Sequence, residues 1–142
     1  MNLSLALKTS LIINAPVSEV WDALTNPAIV EQYFFGTKLV TTWEMGSPIF
    51  FRGEWEGVAY EDKGTVFTFE NEKYLKYNYW SSFSNTEDIP ANYAHIEYFV
   101  EAVEGGTQVT ATQDNLKDEA ALAHSEQNWQ MLLGEMRKLL EK

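Results

Sequence analysis

Residues 119–142 read EAALAHSEQNWQMLLGEMRKLLEK, and this stretch decides the fold. From Leu122 onward, bulky apolar side chains recur at Trp129, Leu132, Leu133, Met136, Leu139 and Leu140, a spacing of three and four that writes one stripe along an α-helix. Asp118 and Glu119 stand near the start of the stripe, and Arg137, Lys138 and Lys142 crowd its end, the charge order that suits the helix dipole. Gly134 interrupts good helix formers at a cost of about 1 kcal/mol relative to alanine, so either the helix tolerates it or something approaches its backbone closely there. An apolar stripe of this width needs a partner surface, and the rest of the chain must supply it.

That surface reads as a sheet. Leu3, Leu5, Leu7, Thr9, Leu11 and Ile13 alternate with mostly polar residues in a first strand. Pro16 to Thr25 then carries Val17, Val20, Trp21 and Leu24 at helical spacing, with proline in the first turn. Asn26 caps a second short helix through Gln32, with Phe34 and Phe35 at its exit before Gly36. Six strands follow, at 37–43, 49–60, 65–70, 74–82, 93–103 and 107–113, with breaks at Met45-Gly-Ser-Pro, Asp62-Lys-Gly, Asn71-Glu-Lys, Phe83 to Asn92 and Glu104-Gly-Gly. Gly53 and Gly57 fall inside one long strand on this reading and imply bends or bulges that curl the sheet.

Parity sorts the faces. Ile49, Phe51 and Trp55 oppose Arg52, Glu54 and Glu56; Ile96, Tyr98, Val100 and Ala102 oppose His95, Glu97 and Glu101. Along 74–82 the parity is undecided, because Tyr77 and Tyr79 compete with Tyr74 and Trp80. The expected architecture is one α+β domain over residues 1–142: a curved seven-stranded antiparallel sheet wrapped around a long C-terminal helix, with two short helices after the first strand.

Composition narrows the function classes. The net charge of −11 repels phosphate backbones and anionic lipid, so nucleic acid is not an expected partner. No apolar run approaches the ~20 residues of a membrane-spanning helix, and the opening MNLSLALKTSLII, split by Lys8, reads as a strand rather than a signal peptide. The chain has no cysteine, which removes disulfides, thiol nucleophiles and thiolate metal sites and fits a cytoplasmic home. Monomer and homodimer both remain open.

Few residues suggest chemistry. His95 lies on the polar parity of its strand and His124 near the start of the long helix, so both read as solvent-exposed, with no metal-ligand spacing. Arg52, Glu54 and Glu56 alternate outward, where cross-strand ion pairing explains them. Asp114 and Asn115 read as caps of the long helix or its approach. No catalytic residue, metal site or cofactor is expected. Aromatic residues make up 14% of the chain, more than a wedge between sheet and helix obviously needs. They either fill the core or line a ligand cavity, for which the candidates are Phe34, Phe51, Trp55, Phe67, Tyr77, Tyr79, Tyr98, Trp129, Leu133 and Met136.

The order of elements resembles the helix-grip arrangement of START-like proteins, the polyketide cyclase and birch-pollen allergen superfamily. The segments APVSEVWDALTNP, GSPIFFRGEWEG, KGTVFTFENEKYLKYNYWSS, GTQVTATQDN and NWQMLLGEMRKLLEK look like successive blocks of its branch related to the activator of the heat-shock protein 90 ATPase. The resemblance implies a cavity between sheet and long helix that takes a hydrophobic or aromatic small molecule, without catalysis. It also leaves two alternatives: a cochaperone-like domain that contacts a heat-shock ATPase, and an enzyme of cyclase or hydrolase type, which needs an inward-facing acid or base near the tyrosines.

Overall fold

The computed structural model describes residues 5–34, 36–81 and 86–141. The elements run β1 (Leu7–Ile13), α1 (Val17–Thr25), α2 (Pro27–Tyr33), β2 (Lys38–Val40), β3 (Pro48–Trp55), β4 (Val58–Glu70), β5 (Tyr74–Tyr79), a 3-10 turn (Pro90–Asn92), β6 (Ala94–Val103), β7 (Gly106–Gln113) and α3 (Glu119–Leu140). The seven strands form one sheet in the order β1-β7-β6-β5-β4-β3-β2, antiparallel at every pairing. This is the expected helix-grip architecture: a curved sheet, two short helices after its first strand, and a long helix last. Leu3, Phe35, Ser82 and Lys142 lie outside the described residues.

Local chemistry explains the helix ends. Pro16 is the N-cap of α1 rather than its first helical residue, and Asn26 accepts the Ala28 N–H at 3.0 Å to start α2. Asp118 accepts the Ala121 N–H at 2.8 Å and opens α3. The expected cap role of Asp114 and Asn115 gives way to other work. Asp114 accepts the His95 backbone N–H at 2.6 Å, and buried Asn115, at φ 56°, donates to the carbonyls of Ala91 and Tyr93.

The second and third strands after α2 divide elsewhere than the glycines suggested. Glu56 and Gly57 both have positive φ, 51° and 81°, and connect Trp55 to its partner Val58 as a two-residue hairpin turn. Asp62-Lys-Gly is no turn, and β4 runs straight through it. Gly64 serves a close approach instead, since a Cβ there would stand 1.7 Å from the Asn78 carbonyl oxygen of β5. Gly53 lies beneath the Tyr60 ring, whose hydroxyl oxygen would be 2.5 Å from an added Cβ. The bulge sits between Val66 and Thr68, where Phe67 is the extra residue. It lets Val66 and Phe69 both serve the interior while Phe67 turns outward, 39% exposed.

On the inner face, Val66, Leu75, Tyr77, Ile96, Val100 and Val109 are buried. The undecided parity of β5 resolves in favour of Leu75 and Tyr77 inward, with Tyr74 outside against Phe99 at 4.9 Å between ring centroids. Ala102, expected inside, is exposed near the end of β6. Outward Arg52 pairs with Glu61 across the strands at 2.6 Å, both about half exposed, a contact worth at most about 1 kcal/mol.

The long helix buries Trp129, Leu132, Leu133 and Met136. Its far end is tied back to the start of the chain, where the Asn14 backbone N–H donates to Glu141 at 2.8 Å. Gly134 faces open space, with nothing within 4 Å of an added Cβ, so of the two alternatives the helix simply tolerates the glycine. Replacing Gly134 by alanine should therefore stabilise the fold by about 0.5–1 kcal/mol through backbone entropy and helix propensity. Gly64→Ala should be strongly destabilising, because a carbonyl oxygen of the neighbouring strand occupies the new methyl's place. Urea denaturation of the two variants checks both signs.

Candidate functional site

A cavity of about 560 Å3 lies between the sheet and α3. Phe34, at the exit of α2, stacks on Phe51 of β3 with ring centroids 6.1 Å apart. Phe51 in turn meets Tyr77 at 5.7 Å and Tyr79 at 5.5 Å. Ile96 and Gln113 continue the wall across β6 and β7, while Ser125, Asn128, Trp129, Met131 and Leu132 of α3 close the other side. Of the ten candidates, the structure brings Phe34, Phe51, Tyr77, Tyr79 and Trp129 to the cavity.

Four others go elsewhere, each for a local reason. Tyr98 is buried behind the wall, edge-on to Trp129 at 5.6 Å. Leu133 and Met136 are fully packed core, 2% and 0% exposed, beneath the C-terminal half of the helix. The bulge turns Phe67 to the outer face, where its ring sits 5.8 Å from that of His95. The Trp55 side chain lies outside the described residues. Sequence reasoning missed Gln113, Ser125 and Asn128, polar residues next to apolar ones on the faces that converge here. Alternation along β7 and the helical spacing of Ser125, Asn128, Trp129 and Leu132 would have found them.

The wall tyrosines spend their hydroxyls inside the protein. Tyr33 donates to the Ala23 carbonyl at 2.7 Å, tying α2 to α1. Tyr77 and Tyr98 are buried beside each other. Tyr79 donates to Asp62, a buried carboxylate on β4, and is also hydrogen-bonded to Ser81. Asp62 is the inward-facing acid near the tyrosines that the sequence placed in a turn. Burial pushes the phenols of Tyr33, Tyr77, Tyr79 and Tyr98 above the ordinary tyrosine range, and the Asp62 charge adds to this at Tyr79.

The polar α3 residue that ties helix to sheet is Trp129, whose indole Nε1 donates to Gln113 Oε1 at 2.8 Å. A second, polar cleft of about 660 Å3 adjoins the cavity and shares Tyr79, Gln113 and Ser125 with it; Lys117 and His124 lie on its helix side. His124 is exposed, as expected. His95 is half-buried on the outer face, with its ring Nδ1 3.0 Å from Asp114, rather than simply solvated. Among the described residues no group of three or more His, Asp or Glu could hold a metal ion, and no helix is long and apolar enough to cross a membrane.

A curved antiparallel sheet clasping a long last helix defines a START-like helix-grip protein. The family described as Activator of Hsp90 ATPase homolog 1-like protein matches residues 14–141, and the chain belongs to it. A Cytophaga hutchinsonii protein solved in solution is 41% identical, with a TM-score of 0.86 over 99% of this chain and 97% of that one. The Aha1 dimer from Colwellia psychrerythraea shares the fold at 18% identity, with a TM-score of 0.75 over 96% of both chains. DynU16, from the dynemicin biosynthetic locus, is 19% identical with a TM-score of 0.80; the match covers 96% of this chain and 47% of that one. No curated protein matches.

The raised tyrosine pKa values make a pH prediction. A phenol whose folded pKa lies above its unfolded value of about 10 contributes stability that is complete below that pH and is lost as pH rises towards the folded pKa. Stability should therefore be insensitive to these four groups at neutral pH and fall steeply in strong alkali. Tyrosinate absorbance should appear in two stages, the buried phenols ionising together with unfolding. A single smooth titration at the ordinary tyrosine pKa with the fold intact would contradict their burial.

Proposed function

We propose that this protein binds a hydrophobic or aromatic small molecule in the cavity between sheet and α3, without catalysing its conversion. The observation that carries this reading is the wall itself. Phe34, Phe51, Tyr77, Tyr79 and Trp129 present aromatic faces to one space of about 560 Å3, within the roughly 300–1,000 Å3 usual for small-molecule sites. Because the wall tyrosines direct their hydroxyls into the protein, what faces the space is chiefly carbon, suited to shape and stacking rather than to proton transfer. Asp62 is occupied as the acceptor of the Tyr79 hydroxyl, which makes it a support of the wall in this reading. A cytoplasmic location is part of the proposal.

Titration with naphthalene, followed by tryptophan fluorescence and calorimetry, tests it. Met131 is half exposed at the cavity, so Met131→Trp should obstruct the space and weaken binding at least tenfold with little change in stability. Phe67→Ala, on the opposite face of the sheet, should leave binding unchanged. Absence of saturable binding by naphthalene and larger flat aromatics would end this reading.

A second reading, an interaction domain acting on a heat-shock ATPase, draws on the family's description and on Phe67 and Phe99, exposed beside half-buried His95 and Tyr74 on the outer face. It predicts that the protein stimulates such an ATPase and that Phe67→Ala or Phe99→Ala weakens the effect. No stimulation at saturating protein would remove it.

A further inference from the structure

We propose that Gln113 is the specificity-determining hydrogen-bond donor of the cavity, and that the ligand is a flat apolar molecule carrying a carbonyl or equivalent acceptor oxygen. This deepens the cavity reading and rests on it. Gln113 ends β7, paired with Leu7 on one side and Ile96 on the other, and its side chain lies at the boundary of the apolar cavity and the polar cleft.

The orientation of its amide follows from its partner. An indole N–H donates and never accepts, so the side-chain atom 2.8 Å from Trp129 Nε1 must be the amide oxygen. The NH2 group is then left as the free end of the side chain. Among the described residues it makes no hydrogen bond. Trp129 is itself buried and held edge-on by Tyr98, so the amide cannot flip without leaving the indole N–H unpaired.

The surrounding groups make this polarity decisive. Tyr79 spends its hydroxyl proton on Asp62, and the Tyr77 phenol is buried beside that of Tyr98. On the helix side, Ser125 and Asn128 are rotatable and offer either a donor or an acceptor. Gln113 alone in this wall presents a donor whose direction is set by the fold. A ligand oxygen that accepts from it gains a hydrogen bond; a ligand with carbon at that position strips the NH2 of water without replacement.

The experiment compares acetylnaphthalene with isopropenylnaphthalene, which has the same shape with a methylene carbon in place of the carbonyl oxygen. The wild-type protein should prefer the ketone by about three- to tenfold. Gln113→Glu retains an acceptor for Trp129 but turns the free end of the side chain from donor to acceptor, so the preference should vanish or reverse. In the wild-type protein the side-chain amide protons of Gln113 should also shift on addition of the ketone and not of the hydrocarbon, a readout that needs no variant to fold. Equal affinity for the two probes, or a preference that survives Gln113→Glu, would overturn the role of Gln113 while leaving the cavity as a binding site. Failure of both probes to bind would overturn the cavity reading and this one together.

Discussion

Everything in this molecule depends on where α3 is held down. Its C-terminal half is seated: Leu133 and Met136 are fully buried, and Glu141 accepts the backbone N–H of Asn14 at the first turn after β1. Truncating either core side chain to alanine removes packing of about 2–5 kcal/mol, a large part of the stability of a domain this size. The first half of the helix is held differently. Trp129 reaches Gln113 and Tyr98, while Ser125, Asn128, Met131 and Leu132 border open space. A helix clamped at one end and propped at its middle by one indole leaves a cavity beside the sheet without losing its grip on it.

The same constraint orders the aromatics. A continuous chain of rings runs from Trp21 through Phe69, Trp43 and Tyr77 to Phe51 and Phe34, each step between 5.4 and 6.5 Å. The first part of that chain is core under α1, and the last part is cavity wall. Whether an aromatic packs or lines depends on its distance from the seated half of the helix, so core and cavity are two ends of one surface.

This explains what could be read from residues alone. The period of α3, the alternation of β6 and β7 and the Asn26 cap each rest on local rules, and they appear in the structure within a few residues of their expected ends. The β3–β4 turn was misplaced because a glycine has two uses. Gly57 supplies positive φ in a turn, whereas Gly64, though it follows an Asp-Lys pair typical of turns, makes room for a neighbouring carbonyl. That distinction is set by a strand which the local sequence does not contain. A break at residues 62–64 leaves Asp62 off the inner face, and alternation without the bulge puts Phe67 in the wall. Gly134 shows the converse, a conspicuous break in the pattern with open space where a side chain would stand.

A ligand-binding role requires that apolar aromatic molecules enter the space between the sheet and α3. Isotope-filtered nuclear Overhauser measurements on the protein with naphthalene bound test this most directly. Contacts should run from the naphthalene protons to the methyl groups of Ile96 and Leu132 and to the rings of Phe51 and Trp129. Contacts confined to Phe67 and Phe99 on the outer face would contradict it.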